Sequence, residues 1–320
     1  ANVVPVWVAS WKQEVGARTL RPKINSLYGT YLKPFPDLEA NVIDVELPPL
    51  TDWASVLSSL DGSVVDLTVT APDTFKPGRT AGMAAFRDFV DNRLKNYADN
   101  RNDPNVDVQS GLSPWIRFGQ IGFQTLALEV KKSGKRSDGI AAFIEEGVVR
   151  RELSDNFCFY NENYDSLAGA AGWARESLEL HSSDPREYVY TKEQLEKAET
   201  HDDLWNASQL QLVRDGKMHG FLRMYWAKKI LEWTPSPALA LEWGFYLNDK
   251  YSFDGSCPNG YVGVGWSVMG VHDMGWKERE VFGKIRFMNY NGCKRKFKVA
   301  DFVAEWDGAA ENARKAAKAG

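Results

Sequence analysis

The stretch from Leu204 to Trp233, LWNASQLQLVRDGKMHGFLRMYWAKKILEW, constrains the fold of this chain more than any other. It is rich in good helix formers and meets no proline until Pro235, so its pattern predicts helix carrying Trp205, Trp226 and Trp233. Trp226 and Trp233 are seven positions apart, which on a helix puts them on one face, roughly 10 Å apart along the axis. Spacing alone leaves two readings open. Aromatics at helical spacing are ordinarily core, and the chain has 12 tryptophans to bury. The sharper reading is a row of indoles along which an electron hops between a buried redox cofactor and the surface.

With 320 residues, 43% of them hydrophobic, the chain can build a sizeable core. No apolar run approaches the ~18 residues of a membrane span, and no N-terminal segment resembles a signal peptide, so no membrane partner and an intracellular location are expected. Cys158, Cys257 and Cys293 are scattered and odd in number, which argues for a reducing compartment and against a disulfide framework. The four histidines do not fall at ligand spacing, and no metal is expected. The net charge of −4 does not suggest a nucleic-acid binder, yet GKIRFMNYNGCKRKFKVA, from Gly283 to Ala300, holds six basic residues and no acidic one. Lys284, Arg286, Lys294, Arg295, Lys296 and Lys298 make either a solvated face or, interleaved with Phe287, Tyr290 and Phe297, a surface for a phosphate backbone.

Taken in order, NVVPVWV reads as a buried strand and KQEVGARTLRPKI as a helix, the end of an α/β domain in residues 1–30. Residues 31–77 are proline-rich and read as a linker with short helical pieces. From residue 78 to 305 the pattern is helix after helix, with Ser113 a candidate N-cap before Pro114, and the alanine-rich residues 306–320 read as a frayed tail. The glycines of NGYVGVGWSVMGVHD do not make a dinucleotide fingerprint. They suit close backbone approach to a flat ligand or a packed helix.

Ten ordered motifs then coincide: FKPGRTAGM, YADNRNDP, SGLSPW with FGQ, RRELSDNFCFYN, THDDLWNASQ, GKMHGFLRMYWAKKILEW, LNDKY, CPNGYVGVGWS, VHDMGWKER and GKIRFMNYNGCKRKF. Together they closely resemble the class II cyclobutane pyrimidine dimer photolyases, especially plant and algal ones, from Val3 to about Val303. The resemblance implies an all-helical FAD-binding domain, preceded by the last strand and helix of a Rossmann-like antenna domain, that repairs UV-damaged DNA with light. It also implies DNA containing pyrimidine dimers as partner, a monomer, and the nucleus as location, with chloroplast or mitochondrion as alternatives. Departures are Trp11 for the family's aspartate, Arg117 for histidine, and Ser256-Cys257 for Arg-Asp. Without a complete antenna domain, the antenna chromophore is left unassigned.

By the same resemblance Ser110, Gly111, Leu112 and Ser113 hold the FAD phosphates, and a serine-rich turn opening a helix suits an anion. Tyr97, Arg101, Asp254 and Asp273 become flavin contacts, with Arg101 expected to pair with Asp273. Asn248, which as sequence reads as a helix C-cap, is implied at flavin N5, where an amide favours the anionic reduced flavin. Glu146, Arg223, Met224 and Trp266 are implied on the lesion side. Glu146 otherwise reads as a helix ion pair with Arg150. Trp226, Trp205 and Trp233 become the photoreduction chain, with Trp233 nearest solvent, and Lys294, Arg295 and Lys296 contact DNA phosphates. A cryptochrome-like photoreceptor and a flavin-free DNA-binding remnant are the rival readings.

Overall fold

A computed structural model describes residues 2–37, 49–60, 65–73, 75–132 and 137–319. Parts of the expected linker, among them Pro48, lie outside the described residues. In chain order the α-helices are α1 (Val6–Ala9), α2 (Ala17–Tyr31), α3 (Trp53–Ser58), α4 (Arg79–Asp88), α5 (Leu94–Asn100), α6 (Ser113–Arg117), α7 (Phe123–Lys132), α8 (Asp138–Ile144) and α9 (Arg151–Tyr160). There follow α10 (Gly172–Leu180), α11 (Lys192–Glu196), α12 (Asp203–Asp215), α13 (Gly220–Trp233), α14 (Pro237–Tyr251), α15 (Pro258–Met269), α16 (Tyr290–Lys294), α17 (Val299–Ala304) and α18 (Ala309–Ala319). Two π-helical segments, Phe89–Arg93 and Glu145–Arg150, interrupt what would otherwise be continuous helices. Among the described residues there is no sheet, only an isolated antiparallel bridge between Arg279 and Gly283.

Two hydrophobic clusters share α9. Leu153 belongs to the cluster built from α1, α2, α4, α5, α7 and α8, while Phe157, one turn on, belongs to the larger cluster of α10 to α18. At the centre of the larger cluster, α13 buries residues all round, including Leu222, Tyr225, Trp226, Ile230, Leu231 and Trp233. A helix apolar on every side has no stable solution except a core, and here α12, α14 and α15 enclose it. Each indole removes ~150–250 Å² from water, roughly 4–6 kcal/mol at most, so this row is also structural capital of the fold.

Three expectations change. The NVVPVWV segment is not a strand: the N–H groups of Val3 and Val4 donate to Glu152 on α9 at 2.6 and 3.3 Å, and Val6–Ala9 form a helical turn. With no partner strand present among the described residues, a buried carboxylate takes the backbone donors that a ladder would have used. The glycine-rich segment is itself helix α15, packed on α9, α13 and α14. The alanine-rich tail forms α18, which docks on α12 with Ala309 and Ala313 buried, and Asn312 Nδ2 donates to the Ala198 carbonyl at 3.1 Å.

Candidate functional site

A cavity of about 360 Å³ opens where α5, α6, α9, the second π segment and the start of α15 converge, within the ~300–1,000 Å³ range of small-molecule sites. Tyr97, Phe123 and Phe143 form an aromatic wall, and Ser110, Ser113, Asp254 and Asn259 supply polar groups. Glu146 and Arg151 also line it. Glu146 lies inside the π segment, whose extra residue per turn shifts register and turns Glu146 and Arg151 toward the same cavity.

The serine-rich turn is present with one adjustment. Leu112, not Ser113, is the N-cap of α6, and Ser113 and Pro114 occupy the first helical positions. Gly111 has φ +67°, and a Cβ added there would lie 3.6 Å from Lys217 Nζ, so a cationic side chain stands beside the turn. A second cavity of about 520 Å³, lined by Gly111, Gln109, Lys217 and His219 among others, adjoins it. Burial first, and the Lys217 charge second, push His219 down to about 4, which matches its role as a neutral acceptor capping α13 from the Phe221 N–H.

Arg101 does not pair with Asp273. Its guanidinium meets Glu146 at 2.7 Å, while Asp273 accepts from the Met274 N–H at 2.9 Å. Glu146 is likewise not paired with Arg150, which reaches Glu145 at 3.2 Å. The cause is again the π segment, which puts the expected i, i+4 neighbours out of register.

Asn248 sits inside α14, which runs on to Tyr251, and so is not a C-cap. Its buried Oδ1 accepts from Arg223 at 2.7 Å and from Ser252 Oγ at 3.3 Å, and its Nδ2 donates to Asp249 at 2.9 Å. Gly260 on α15 makes this possible, since a Cβ there would stand 2.8 Å from Asn248 Nδ2. The glycines therefore serve a packed helix.

Two of the departures from the family pattern touch one another. Arg117 Nε and Nη2 donate to the carbonyls of Gly255 and Ser256 at 3.0 and 2.8 Å, bracing a turn in which Ser256 has φ +50°. Cys257, the N-cap of α15, lines the cavity, and burial pushes its thiol up. Trp11 is 77% exposed.

The indoles form one contiguous row. Trp226 and Trp205 lie 6.4 Å apart between ring centroids with an interplanar angle of 7°, and Trp205 and Trp233 lie 5.8 Å apart at 67°. Trp205 Nε1 donates to the Trp226 carbonyl at 3.0 Å and Trp226 Nε1 to Gln209 Oε1 at 2.9 Å, which fixes both rings. Trp233, expected at the solvent end, is only 1% exposed.

Arg223 and Met224 are half-buried on α13, on a different side from buried Trp226, and Trp266 is half-buried on α15. Lys284, Arg286, Lys294, Arg295, Lys296 and Lys298 are all exposed. Arg286 stacks over Trp276 at 4.8 Å and Arg279 over Phe287 at 4.1 Å. Sequence reasoning missed Arg151, Asp155, Asn259, Phe123 and Phe143 in the cavity. Arg151 and Asp155, four apart beside Glu146, carried a readable signal, but it was that of a surface pair.

No protein-family model matches the chain. It is 53% identical over 304 residues to the deoxyribodipyrimidine photo-lyase of Potorous tridactylus, covering 94% of this chain and 56% of that protein. It is 53% identical over 310 residues to that of Oryza sativa subsp. japonica and 52% identical over 318 residues to that of Arabidopsis thaliana, covering 95% of this chain in each case and 61% and 62% of those proteins. The chain thus spans about three fifths of the length of these relatives. In structure it resembles a Synechocystis sp. cryptochrome, with a TM-score of 0.64, 19% identity and coverage of 92% of this chain and 58% of that one. It also resembles an archaeal photolyase from Sulfolobus tokodaii solved with two FAD molecules, with a TM-score of 0.59, 18% identity and coverage of 96% and 60%. The chain belongs to the photolyase/cryptochrome family. Within that family its sequence groups with the deoxyribodipyrimidine photo-lyases.

Proposed function

We propose that this chain is the catalytic region of a class II-type enzyme that uses light and FAD to split cyclobutane pyrimidine dimers in UV-damaged DNA. The observation that carries the reading is the conjunction of the cavity with a continuous buried row of indoles shared by α12 and α13, the latter also presenting Arg223 and Met224. The residues fit a flavin dinucleotide. Arg151 Nη1 is buried at the cavity without a hydrogen-bond partner, an unmet donor that an anionic ligand satisfies. The aromatic wall suits a flat ring system, and Ser110 and Ser113 with Lys217 nearby suit phosphates.

Bound FAD in its anionic reduced form would supply light absorption and the electron that opens the dimer. The protein's share is position and electrostatics. Asn248, held by Arg223, offers an amide that does not force a proton onto a ring nitrogen. Tyr97 and Asp254 line the cavity and stand as flavin contacts, whereas Asp273 follows the far end of α15 and is not among the residues that line it. Trp266, half-buried, offers a face on which a flipped-out dimer stacks, worth ~1–3 kcal/mol per base. Glu146 and Arg101 offer hydrogen bonds at the cavity mouth. The exposed basic segment takes up DNA phosphates, and the enzyme acts as a monomer inside the cell, in the nucleus.

The test is the absorption spectrum of the purified chain followed by illumination. A bound-flavin band in the blue is expected, and Trp226→Phe is expected to abolish light-driven flavin reduction while chemically reduced enzyme still repairs. Phenylalanine keeps most of the buried area, so unfolding does not mimic the effect. Unchanged photoreduction in the variant removes the indole row from the reading.

A further inference from the structure

The indole row does not end at Trp233. The Tyr190 ring lies 5.5 Å from it at 77°, and the His201 ring 5.1 Å from it at 62°. The Tyr190 hydroxyl is 2.7 Å from His201 Nδ1 and accepts from the His201 backbone N–H at 3.0 Å. Tyr188, 38% exposed, stacks on His201 at 3.8 Å. The Tyr190 N–H donates to the Trp233 carbonyl at 3.0 Å, so tyrosine and indole are fixed to each other through the backbone. We propose that Tyr190 is the terminal hole acceptor of the row and His201 the base that takes its proton, with Tyr188 the surface contact for external donors. This rests on the photoreduction reading above.

As far as the tyrosyl radical, the chemistry balances with a photoexcited oxidised flavin as the one added oxidant. An electron leaves Trp226 and is replaced in turn from Trp205 and Trp233, leaving a radical cation at Trp233. Tyr190 then gives one electron to Trp233, restoring the neutral indole, and its hydroxyl proton moves to His201 Nδ1, leaving a neutral tyrosyl radical and an imidazolium. Half-buried His201 releases that proton to water. An external thiolate reaching Tyr188 returns one electron to the Tyr190 radical, itself becoming a thiyl radical, and water returns the proton through His201.

Three features favour this sequence. The phenolic oxygen already accepts a backbone N–H, which leaves its own proton for Nδ1. Burial and the Lys229 ammonium push His201 down, so the ring is a neutral acceptor at neutral pH. Lys229 Nζ also lies 5.4 Å from the Trp233 ring centroid, where a cation opposes a positive hole on the indole but leaves a neutral tyrosyl radical nearly untouched. A second phenol, Tyr225, bonds buried Asp202 but is in ring contact with none of the three indoles.

Nitrogen NMR of the flavin-free full chain tests the base directly. His201 Nδ1 is expected unprotonated and hydrogen-bonded at neutral pH, with its shift altered in Tyr190→Phe; a protonated Nδ1 overturns the proposal whatever the flavin does. In the flavin-loaded chain, flash spectroscopy is expected to show indole oxidation followed by a tyrosyl radical slowed in heavy water. Tyr190→Phe should abolish that radical and shorten the charge-separated lifetime about tenfold or more, the factor ~1.4 kcal/mol of lost trapping gives. His201→Phe should slow radical formation and abolish the isotope effect. Indole oxidation with no tyrosyl signal, or a signal that survives Tyr190→Phe and disappears in Tyr225→Phe, overturns the relay and leaves the photolyase reading intact. Absence of any indole oxidation overturns the relay together with the photoreduction reading on which it rests.

Discussion

At the scale of single residues, Glu146 carries the most chemical content. Its carboxylate meets Arg101 at 2.7 Å with both side chains about one-third exposed, so in the DNA-free protein the pair is screened and inexpensive to open. In the proposed repair reaction, a lesion that enters and expels water leaves the same carboxyl free to turn to a base, provided it presents a hydrogen-bond donor. Glutamine keeps a donor at that position and alanine does not. Glu146→Ala is therefore expected to lower the splitting yield per absorbed photon more than Glu146→Gln, with lesion affinity changing less than yield, because the bond strengthens only as charge arrives on the dimer. Equal yields in wild type and the alanine variant would leave Glu146 as the partner of Arg101 alone. The sequence named Glu146 but not its partner, since helical spacing pointed to Arg150 and a π segment leaves no mark in residue composition. The three indoles were legible in position, because two of them share a helical face and all sit in a segment with no competing pattern, but the expectation that Trp233 lies nearest solvent came with the family resemblance, and that ring is buried.

At the scale of elements, the joint between α1 and α9 is the least expected feature and the most titratable. Burial pushes Glu152 from 4.5 up to about 7, against the opposing pull of the Val3 and Val4 N–H groups. A carboxyl whose folded value is raised binds its proton more tightly in the native state, so its contribution runs opposite to the usual acidic residue. It costs nothing below about pH 4.5 and costs increasingly as pH rises to about 7, by up to roughly 3 kcal/mol. Glu152→Gln keeps an oxygen acceptor for both N–H groups and removes the titration. Denaturation midpoints measured at pH 5 and pH 8 are expected to differ less in this variant than in wild type, with the gain at pH 8. A variant that loses stability equally at both pH values would show that the charged form is the one the joint needs. The valines of this segment carry a strand signature, but a lone strand has nothing to pair with and helical turns close onto Glu152 instead. In α15 the glycines lower helix propensity, which masked the helix, yet Gly260 is what allows Asn248 and its helix to approach. Both misreadings share one cause: local preference was overridden by a tertiary partner distant in sequence.

At the scale of the whole molecule, a chain with a net charge of −4 is expected to be repelled by a polyanion, so the proposed affinity for DNA has to come from a local field. The six basic side chains from Lys284 to Lys298 are exposed, on short helix α16 and the loops on either side of it, joined to the body by specific bonds. The Lys284 N–H donates to Ser177 Oγ at 2.7 Å, Asn105 Nδ2 donates to the Lys298 carbonyl at 2.8 Å, and His181 ties Asp184 to Glu278 at 2.6 and 3.2 Å. The segment is thus a fixed cationic platform on an otherwise acidic body. A platform of that kind positions DNA without reading it, because contacts to phosphate carry no base information. Neutralising Lys294, Arg295 and Lys296 together is expected to weaken binding to damaged and undamaged duplexes by similar factors. It should also flatten the plot of log affinity against log salt by up to about three units of slope, one per lost counterion release. Titrations of both duplexes at several salt concentrations check this, and a loss confined to damaged DNA would mean that these residues touch the lesion itself.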